Sequence, residues 1–185
     1  MRLNLGCGDD IRPDYLNVDF RETSPHTKVV DLSKLPWPFA DASADEVMML
    51  DFVEHFPIAH THAILTESHR ILRRGGVIRI QVPDMDTLAH AITGHPGVQC
   101  NKCGNVFGLG AHPNATCDQT QGGLVAAAIG RIYGGQDYPG NFHMAGFTKQ
   151  SMIRALTERG FSGVRFEEID HQKANWNFKA AARKL

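Results

Sequence analysis

The fold of this chain is decided by residues 3–19, LNLGCGDDIRPDYLNVD, in which two short apolar runs flank a glycine turn. The first run predicts a buried strand over about residues 2–5 that leads directly into Gly6-Cys7-Gly8. Glycines at this point let the backbone turn tightly and let a ligand approach main-chain N–H groups. The second run predicts a strand over about 15–19 that ends in Asp19. In an open α/β sheet such a strand tip faces the ligand crevice, where a carboxylate can accept hydrogen bonds from ribose hydroxyls.

The turn lacks the features of two common nucleotide-binding loops, those for dinucleotides and those for nucleoside triphosphates. A dinucleotide-binding loop has a third glycine and an acidic residue about 20 residues further on. Here Ile11 occupies the third-glycine position, and Asp19 follows Gly6 by only 13 positions (19 − 6). The chain also has no Gly-Lys-Ser/Thr sequence of the kind that binds a nucleoside triphosphate.

Leu5-Gly6-Cys7-Gly8 followed by Asp19 resembles the first motif of the class I S-adenosylmethionine-dependent methyltransferases, and the resemblance extends over about residues 2–90 and 142–182. It implies an α/β fold with a Rossmann-like, doubly wound, seven-stranded sheet in the order 3-2-1-4-5-7-6. The sheet would be mostly parallel, with one antiparallel strand near the C-terminus. The implied reaction is an in-line transfer of the sulfonium methyl group to an acceptor heteroatom, with S-adenosylhomocysteine as the product.

The remaining elements follow from apolar periodicity and from helix caps. Residues 9–14 are too few for the usual crossover helix, so we expect that helix to be reduced to a turn. Periodicity and caps predict strands at 28–30, 45–50 and 77–82, a helix over 58–73 ended by Gly75-Gly76, helices over 124–133 and from Thr148 to about Arg159, and a terminal hairpin of 164–168 and 175–180.

The resemblance also implies which residues hold the cofactor. It places Asp31, with the Leu32 backbone as its neighbour, beside the adenine; the alternative is a surface aspartate that caps a turn. It places the end of the fourth strand beside the transferable methyl group. The complete predicted cofactor set is Leu5, Gly6, Cys7, Gly8, Asp19, Asp31, Leu32, Leu50 and Asp51.

The acceptor is expected to meet two segments that are rich in polar and aromatic side chains. Glu54 and His55 follow the fourth strand, and Tyr138 and His143 lie in a glycine-rich and aromatic loop. His143 and His55 are the candidate general bases for an oxygen acceptor, and Tyr138, His143 and Glu54 are the candidate acceptor contacts. The alternatives are a hydrogen bond at a helix start for His55 and a packed loop with a core histidine for His143.

A segment at about residues 95–123 differs in composition from the rest and is predicted to be an insertion. Cys100 and Cys103 form a Cys-x2-Cys pair, and His112 and Cys117 follow it, so the four side chains could bind a structural Zn²⁺ ion. The alternative is a mobile loop with reduced thiols.

Composition limits the partners. At 185 residues the chain is predicted to be a single methyltransferase domain over 1–185. The net charge of −1 argues against a nucleic-acid partner, and no apolar run is long enough to cross a membrane. We therefore predict a cytoplasmic enzyme that methylates an oxygen or nitrogen of a small molecule, such as a sugar or a secondary metabolite.

Two alternatives to this function stay open: a non-catalytic zinc-bearing adaptor on the same fold, and a nucleotide-sugar or NAD enzyme. The sequence does not indicate the oligomeric state.

Overall fold

The computed structural model describes residues 1–93, 121–138, 140–167 and 176–185. Its strands are β1 Arg2–Leu5, β2 Leu16–Asp19, β3 Thr27–Val29, β4 Ala44–Leu50, β5 Leu72–Pro83, β6 Phe161–Glu167 and β7 Asn177–Lys184. They form one sheet in the order β3-β2-β1-β4-β5-β7-β6. Strand β7 is antiparallel to both of its neighbours, and the other pairs are parallel. The predicted fold class, strand order and single reversed strand are confirmed.

The helices of the described residues are α1 Ile58–Ile71, α2 Met85–Thr93, α3 Gln121–Tyr133 and α4 Lys149–Thr157, with a 3₁₀ turn at Val53–His55. Helix α4 begins where predicted, because the Thr148 side chain accepts the N–H of Ser151 and the Ser151 hydroxyl accepts the N–H of Thr148. None of the helices in the described part of the chain combines the length and the apolar character needed to cross a bilayer.

The connection between β1 and β2 is a turn without a helix, as expected, and two buried asparagines hold it. The Asn4 amide donates to the carbonyl oxygen of Asp10 at 2.7 Å and to the side-chain oxygen of Asn17 at 3.0 Å. The same Asn17 oxygen accepts the N–H of Arg12 at 3.0 Å, and the Asn17 amide donates to the Arg12 carbonyl. These bonds satisfy backbone groups that a crossover helix would otherwise pair internally.

The prediction that a helix runs over 58–73 is wrong at its C-terminal end. The helix ends at Ile71, and Leu72 already lies in β5, where it is fully buried and pairs with Ala44. Gly75-Gly76 therefore lies within a strand instead of ending a helix. Burial of Leu72 in the core favours the extended conformation over another residue of helix.

The core fills the space between the sheet and its helices, and it includes Trp37 and Phe39 from the loop after β3. Strand β7 contributes three small residues, Ala180 to Ala182, all of them fully buried. The carboxyl ends of the parallel strands β1, β2 and β4 reach the same edge of the sheet, and the candidate site lies there.

Candidate active site

The turn after β1 is held close to the tip of β2. The N–H groups of Gly6 and Cys7 both donate to the carbonyl oxygen of Val18, at 2.8 and 3.1 Å. Gly6 has a φ of +67°, and a Cβ atom there would overlap the Phe52 ring. Gly8 has a φ of +48°, and a Cβ atom there would meet nothing within 4 Å. The turn is therefore tightly packed behind Gly6 and open in front of Gly8.

The Asp19 carboxylate is only 5% exposed and is oriented by the backbone. One oxygen accepts the N–H of Gly8 at 2.9 Å, and the other accepts the N–H of Arg21 at 3.0 Å. A carboxylate offers about four acceptor positions, so each oxygen keeps one position for a ligand hydroxyl. Asp19 is thus preorganised to accept hydrogen bonds from a ribose.

A cavity of about 500 Å³ lies in front of this turn. Eight of the nine predicted cofactor residues line it: Gly6, Cys7, Gly8, Asp19, Asp31, Leu32, Leu50 and Asp51. Leu5 does not, because its side chain is fully buried in the core. Cys7 is a free, buried cysteine, and burial raises the pKa of its thiol.

Asp31 and Leu32 form another part of the wall of this cavity. The Asp31 carboxylate accepts the N–H of Ser33 at 3.1 Å and the Ser33 hydroxyl at 2.5 Å. The Ser33 hydroxyl and the Lys34 ammonium lower the pKa of Asp31, so this side chain is an anion at neutral pH. The carbonyl oxygen of Leu32 accepts the indole N–H of Trp37 at 3.0 Å, which ties the wall to the core.

The cavity wall also contains aromatic residues that were not predicted from the sequence, among them Phe20 and Phe52. Each of these two follows an acidic residue of the predicted set, Asp19 or Asp51, at the end of a strand. That position is the signal that could have indicated them. Flat apolar side chains of this kind could pack against the faces of a planar ring system.

A second cavity, of about 640 Å³, shares three wall residues with the first: Asp51, His55 and Tyr138. The rest of its wall comes mainly from α3 and the loop after it. Its other lining residues are Glu54, Ala127, Gly130, Arg131, Gly134, Gly135, Asn141 and His143. The predicted acceptor residues therefore lie around one cavity, next to the one lined by the predicted cofactor residues.

Asp51 stands where the two cavities meet, in a left-handed backbone conformation with a φ of +50°. Its N–H donates to the Gln81 carbonyl at 3.0 Å, and its carboxylate accepts the side-chain amides of Gln81 at 3.1 Å and Asn177 at 2.7 Å. The cavity walls exclude part of the surrounding water and raise the pKa of Asp51, and Arg131 offsets part of this effect.

His55 and His143, predicted as catalytic candidates, lie with their ring centroids 4.9 Å apart. Nδ1 of His55 is 3.1 Å from the carbonyl oxygen of Phe142, and Nδ1 of His143 is 2.7 Å from that of Arg131. A carbonyl can only accept, so each Nδ1 carries the proton and each Nε2 keeps a lone pair in the neutral ring. Burial lowers the pKa of His143.

Glu54 lies beside these histidines and is 1% exposed. Neither of its carboxylate oxygens has a hydrogen-bond partner among the described residues. Burial, and after it the charge of Asp51, raises the pKa of Glu54 well above its usual value. A buried carboxyl group without a partner is costly and is uncommon in folded proteins.

Tyr138 connects the glycine-rich loop to the tip of β2. The Arg21 guanidinium lies 4.5 Å from the centre of the Tyr138 ring, within the range of a cation–π contact. Arg21 also donates its N–H to Asp19, so the cofactor wall and the loop meet at this residue. The predicted zinc ligands Cys100, Cys103, His112 and Cys117 lie outside the described residues.

Comparison with known proteins finds a family match over part of the chain and solved structures with a similar fold. Residues 3–80 match the methyltransferase domain family. No curated protein sequence matches the chain. A SAM-dependent methyltransferase from Archaeoglobus fulgidus is 15% identical, with a TM-score of 0.58 over 98% of this chain and 85% of that one. A SAM-dependent methyltransferase from Thermotoga maritima, described as a possible histamine N-methyltransferase, is 12% identical, with a TM-score of 0.57 over 99% of this chain and 81% of that one.

A possible exported protein from Bordetella parapertussis is 14% identical, with a TM-score of 0.57 over all of this chain. The chain spans only 63% of that protein. At these identities the structural likeness shows the fold.

The family match of residues 3–80 and the fold of the described residues support the expected class, the class I S-adenosylmethionine-dependent methyltransferases. S-adenosylmethionine is the cofactor of that class. The residues present fit that group, because the turn is open in front of Gly8 and Asp19 keeps two acceptor positions for hydroxyls.

Proposed function

We propose that this chain transfers the methyl group of S-adenosylmethionine to an oxygen or nitrogen atom of a small molecule bound in the second cavity. The observation that carries the proposal is that the two cavities share Asp51, His55 and Tyr138. Transfer between two bound molecules requires that they lie side by side in a fixed orientation, and neighbouring cavities with a common wall provide this arrangement.

The cofactor side of the proposal assigns a role to each part of the first cavity. Bound S-adenosylmethionine supplies a methyl group that is already activated by its sulfonium charge. The glycine turn offers main-chain N–H groups, Asp19 accepts the ribose hydroxyls, and Asp31 with Leu32 meets the adenine. Leu50 and Asp51 lie nearest to the methyl group. The proposed set is Gly6, Cys7, Gly8, Asp19, Asp31, Leu32, Leu50 and Asp51, with Leu5 acting through the core behind them.

The acceptor side rests on the polar groups of the second cavity. Tyr138, His143 and Glu54 are the proposed contacts, and His143 and His55 are the proposed catalytic residues. A hydroxyl acceptor must lose a proton, and an imidazole that donates Nδ1–H to a carbonyl presents Nε2 as the proton acceptor. An amine that already carries a lone pair needs only to be oriented.

A small acceptor, such as a sugar or a secondary metabolite, suits the dimensions of this cavity. A volume of about 640 Å³ lies within the usual range for small-molecule sites. The net charge of −1 provides no general attraction for a polyanion such as DNA or RNA.

The cofactor is tested by thermal denaturation of the purified chain with S-adenosylmethionine, S-adenosylhomocysteine, NAD and a UDP-sugar. We expect the melting temperature to rise with the first two ligands only, because ligands that bind the native state stabilise it. A rise with NAD or the UDP-sugar would support the nucleotide-sugar or NAD alternative instead. A protein that none of the ligands stabilises would support the adaptor.

The acceptor is tested by incubating the protein with methyl-labelled S-adenosylmethionine and pooled metabolites, and then separating small from large molecules. We expect labelled small molecules and no labelled DNA or protein. His143→Ala should lower the yield, whereas His26→Ala, which changes an exposed histidine outside both cavities, should not. Label recovered only in macromolecules would contradict the proposed acceptor class.

The insertion within a single domain over 1–185, the zinc site of Cys100, Cys103, His112 and Cys117, and a cytoplasmic location stay predictions. The zinc site is tested by elemental analysis of the purified chain and of a variant with these cysteines changed to serine. Zinc in the parent that is lost in the variant would support it, and equal content in both would contradict it.

A further inference from the structure

We propose that Glu54, His55 and His143 bind one divalent transition-metal ion of the Zn²⁺, Fe²⁺ or Co²⁺ type in the wall of the second cavity. This site uses none of the predicted ligands of the cysteine-rich segment, and its residues were indicated by the sequence only as acceptor contacts or bases. It goes beyond the proposed function, because metal binding can be measured whether or not a methyl group is transferred.

The first argument is the geometry of the three side chains. Each offers one atom able to bind a metal, a ring nitrogen of each histidine and a carboxylate oxygen of Glu54, and these atoms lie within 4.8 Å of one another. Ligands about 2.1 Å from a tetrahedral ion lie roughly 3.5 Å apart. Small side-chain rotations would therefore be needed to bring the three atoms into coordination distance.

The second argument is that the backbone already fixes the cluster. Glu54 and His55 belong to the 3₁₀ turn after β4, and His143 lies 88 residues further along the chain (143 − 55). The N–H groups of Met144 and Ala145 both donate to the Glu54 carbonyl, at 2.7 and 3.1 Å. These bonds join the loop to the turn, so the ligands are held together before any ion binds.

The third argument is the tautomer of the histidines. Metal-binding histidines commonly donate their other ring N–H to a carbonyl or a carboxylate, which orients the ring. His55 and His143 both place Nδ1 against a backbone carbonyl, of Phe142 and Arg131 respectively. This arrangement leaves both Nε2 lone pairs available to an ion.

The fourth argument is the unpaired carboxyl group of Glu54. Its two oxygens are buried and have no hydrogen-bond partner among the described residues, and no ion pair to Glu54 is formed within them. An unpaired buried carboxylate is costly, and a divalent ion would supply the missing positive charge. The Asp51 carboxylate in the same cavity wall would add to the attraction, and the Arg131 guanidinium in that wall would oppose it.

The ligand types decide which ion is suitable. Mg²⁺ and Ca²⁺ prefer sites built from oxygen ligands, whereas two imidazoles and one carboxylate are typical of zinc and of non-haem iron. Three protein ligands leave at least one coordination position free. If the proposed function holds, an acceptor hydroxyl that binds at this position would release its proton to solvent water more readily, because the ion stabilises the resulting anion. With the ion bound, the Nε2 lone pairs of His55 and His143 are occupied, so the ion would replace these histidines as the group that promotes deprotonation.

The test uses the full chain with Cys100, Cys103 and Cys117 changed to serine, so that the cysteine-rich segment cannot bind the ion. After removal of metal by a chelator, Zn²⁺ is titrated by calorimetry, and Co²⁺ is added in parallel to follow ligation by absorption. We expect one ion per chain. Glu54→Gln and His143→Ala should each weaken binding by at least about 10-fold. The matched control His62→Ala, which changes a partly buried histidine of α1 outside this cavity, should leave binding unchanged.

Folding is checked by S-adenosylhomocysteine binding and by circular dichroism. If the serine background does not fold, the parent chain is used, and the proposal then requires that His143→Ala lowers the number of bound ions by one. A folded protein that binds no Zn²⁺, or that binds it equally well in Glu54→Gln and His143→Ala, would overturn the proposal. Absence of methyl transfer with metal binding intact would reject the proposed function and leave the site standing.

Discussion

Gly6 combines two properties that no other residue could provide at its position. Its φ of +67° lies in the left-handed region, and its missing side chain leaves room for the Phe52 ring. Because Phe52 also lines the first cavity, the packing behind the turn and the shape of the binding surface depend on the same contact. We therefore expect this single residue to affect both the stability of the turn and ligand binding in the first cavity.

The variant Gly6→Ala tests this dual role against Gly163→Ala. Gly163 has a similar φ of +60°, but a Cβ atom there would meet nothing within 4 Å, and the residue lies outside both cavities. Both variants should lose about 1–2 kcal/mol for the left-handed alanine. Gly6→Ala should lose about 1–3 kcal/mol more because of overpacking, and it should also bind S-adenosylhomocysteine less tightly. Urea denaturation and calorimetry measure the two effects, and equal losses in both variants would contradict the role of Phe52.

Residues that follow a strand end could be placed from the sequence, because the ends of neighbouring parallel strands meet at one edge of the sheet. Leu5 precedes the turn, and its side chain instead points into the core. The grouping of Glu54 and His55 with His143 could not be predicted, because it depends on how a distant loop docks onto the turn.

Helix α1 supports the loop that carries Asp31 and Leu32. The buried Glu67 carboxylate accepts the backbone N–H of Trp37 at 2.7 Å and a hydrogen bond from the Arg70 guanidinium at 2.9 Å. Trp37 in turn donates its indole N–H to the Leu32 carbonyl. One carboxylate on the helix therefore positions one wall of the cofactor cavity.

The variant Glu67→Gln should be less stable than the parent at pH 7 by about 2 kcal/mol, because a charged hydrogen bond to Arg70 is lost. The hydrogen bond from Arg70 lowers the pKa of Glu67 in the folded state. A lowered folded-state pKa contributes stability above the unfolded-state pKa, and this contribution disappears as the pH falls through the folded-state value. The difference between the two proteins should therefore be constant near neutrality and shrink below about pH 4.5.

Urea denaturation of both proteins from pH 7 to pH 3 measures this dependence. Asp14→Asn changes an exposed acidic residue that lines neither cavity, and it serves as the control for the general effect of acid. A difference in stability between Glu67→Gln and the parent that grows as the pH falls would contradict the ion pair.

Element boundaries were less predictable than the elements themselves. The last two residues of the helix predicted over 58–73 belong to β5. The sequence pattern could not show this, because burial of Leu72 and pairing across the sheet depend on tertiary contacts. Helix α2 was missed altogether. The sequence features that mark this helix are few. The Asp84 side chain accepts the N–H of Asp86 at the start of the helix, and Leu88 and Ala91 provide two buried positions three residues apart.

At the scale of the whole molecule, the sheet order brings the tips of β1, β2 and β4 together and places two cavities side by side. That order came from the family resemblance, because the apolar pattern of separate strands carries no information about their neighbours. Different segments of the chain build the two cavities. The N-terminal strands supply the wall of the first cavity, and α3 with its following loop supplies most of the second.

The most direct measurement is a calorimetric titration of S-adenosylhomocysteine into the parent chain, Asp19→Ala and the control Asp14→Ala. Asp19 offers one free acceptor position on each carboxylate oxygen, and each charged hydrogen bond that is lost costs about 1.5–3 kcal/mol. We predict that the parent and Asp14→Ala bind one equivalent equally well, and that Asp19→Ala, although still folded, binds at least about 100-fold more weakly. Equal affinity in a folded Asp19→Ala protein, or no binding to the parent, would contradict the assignment of this cavity to the methyl donor.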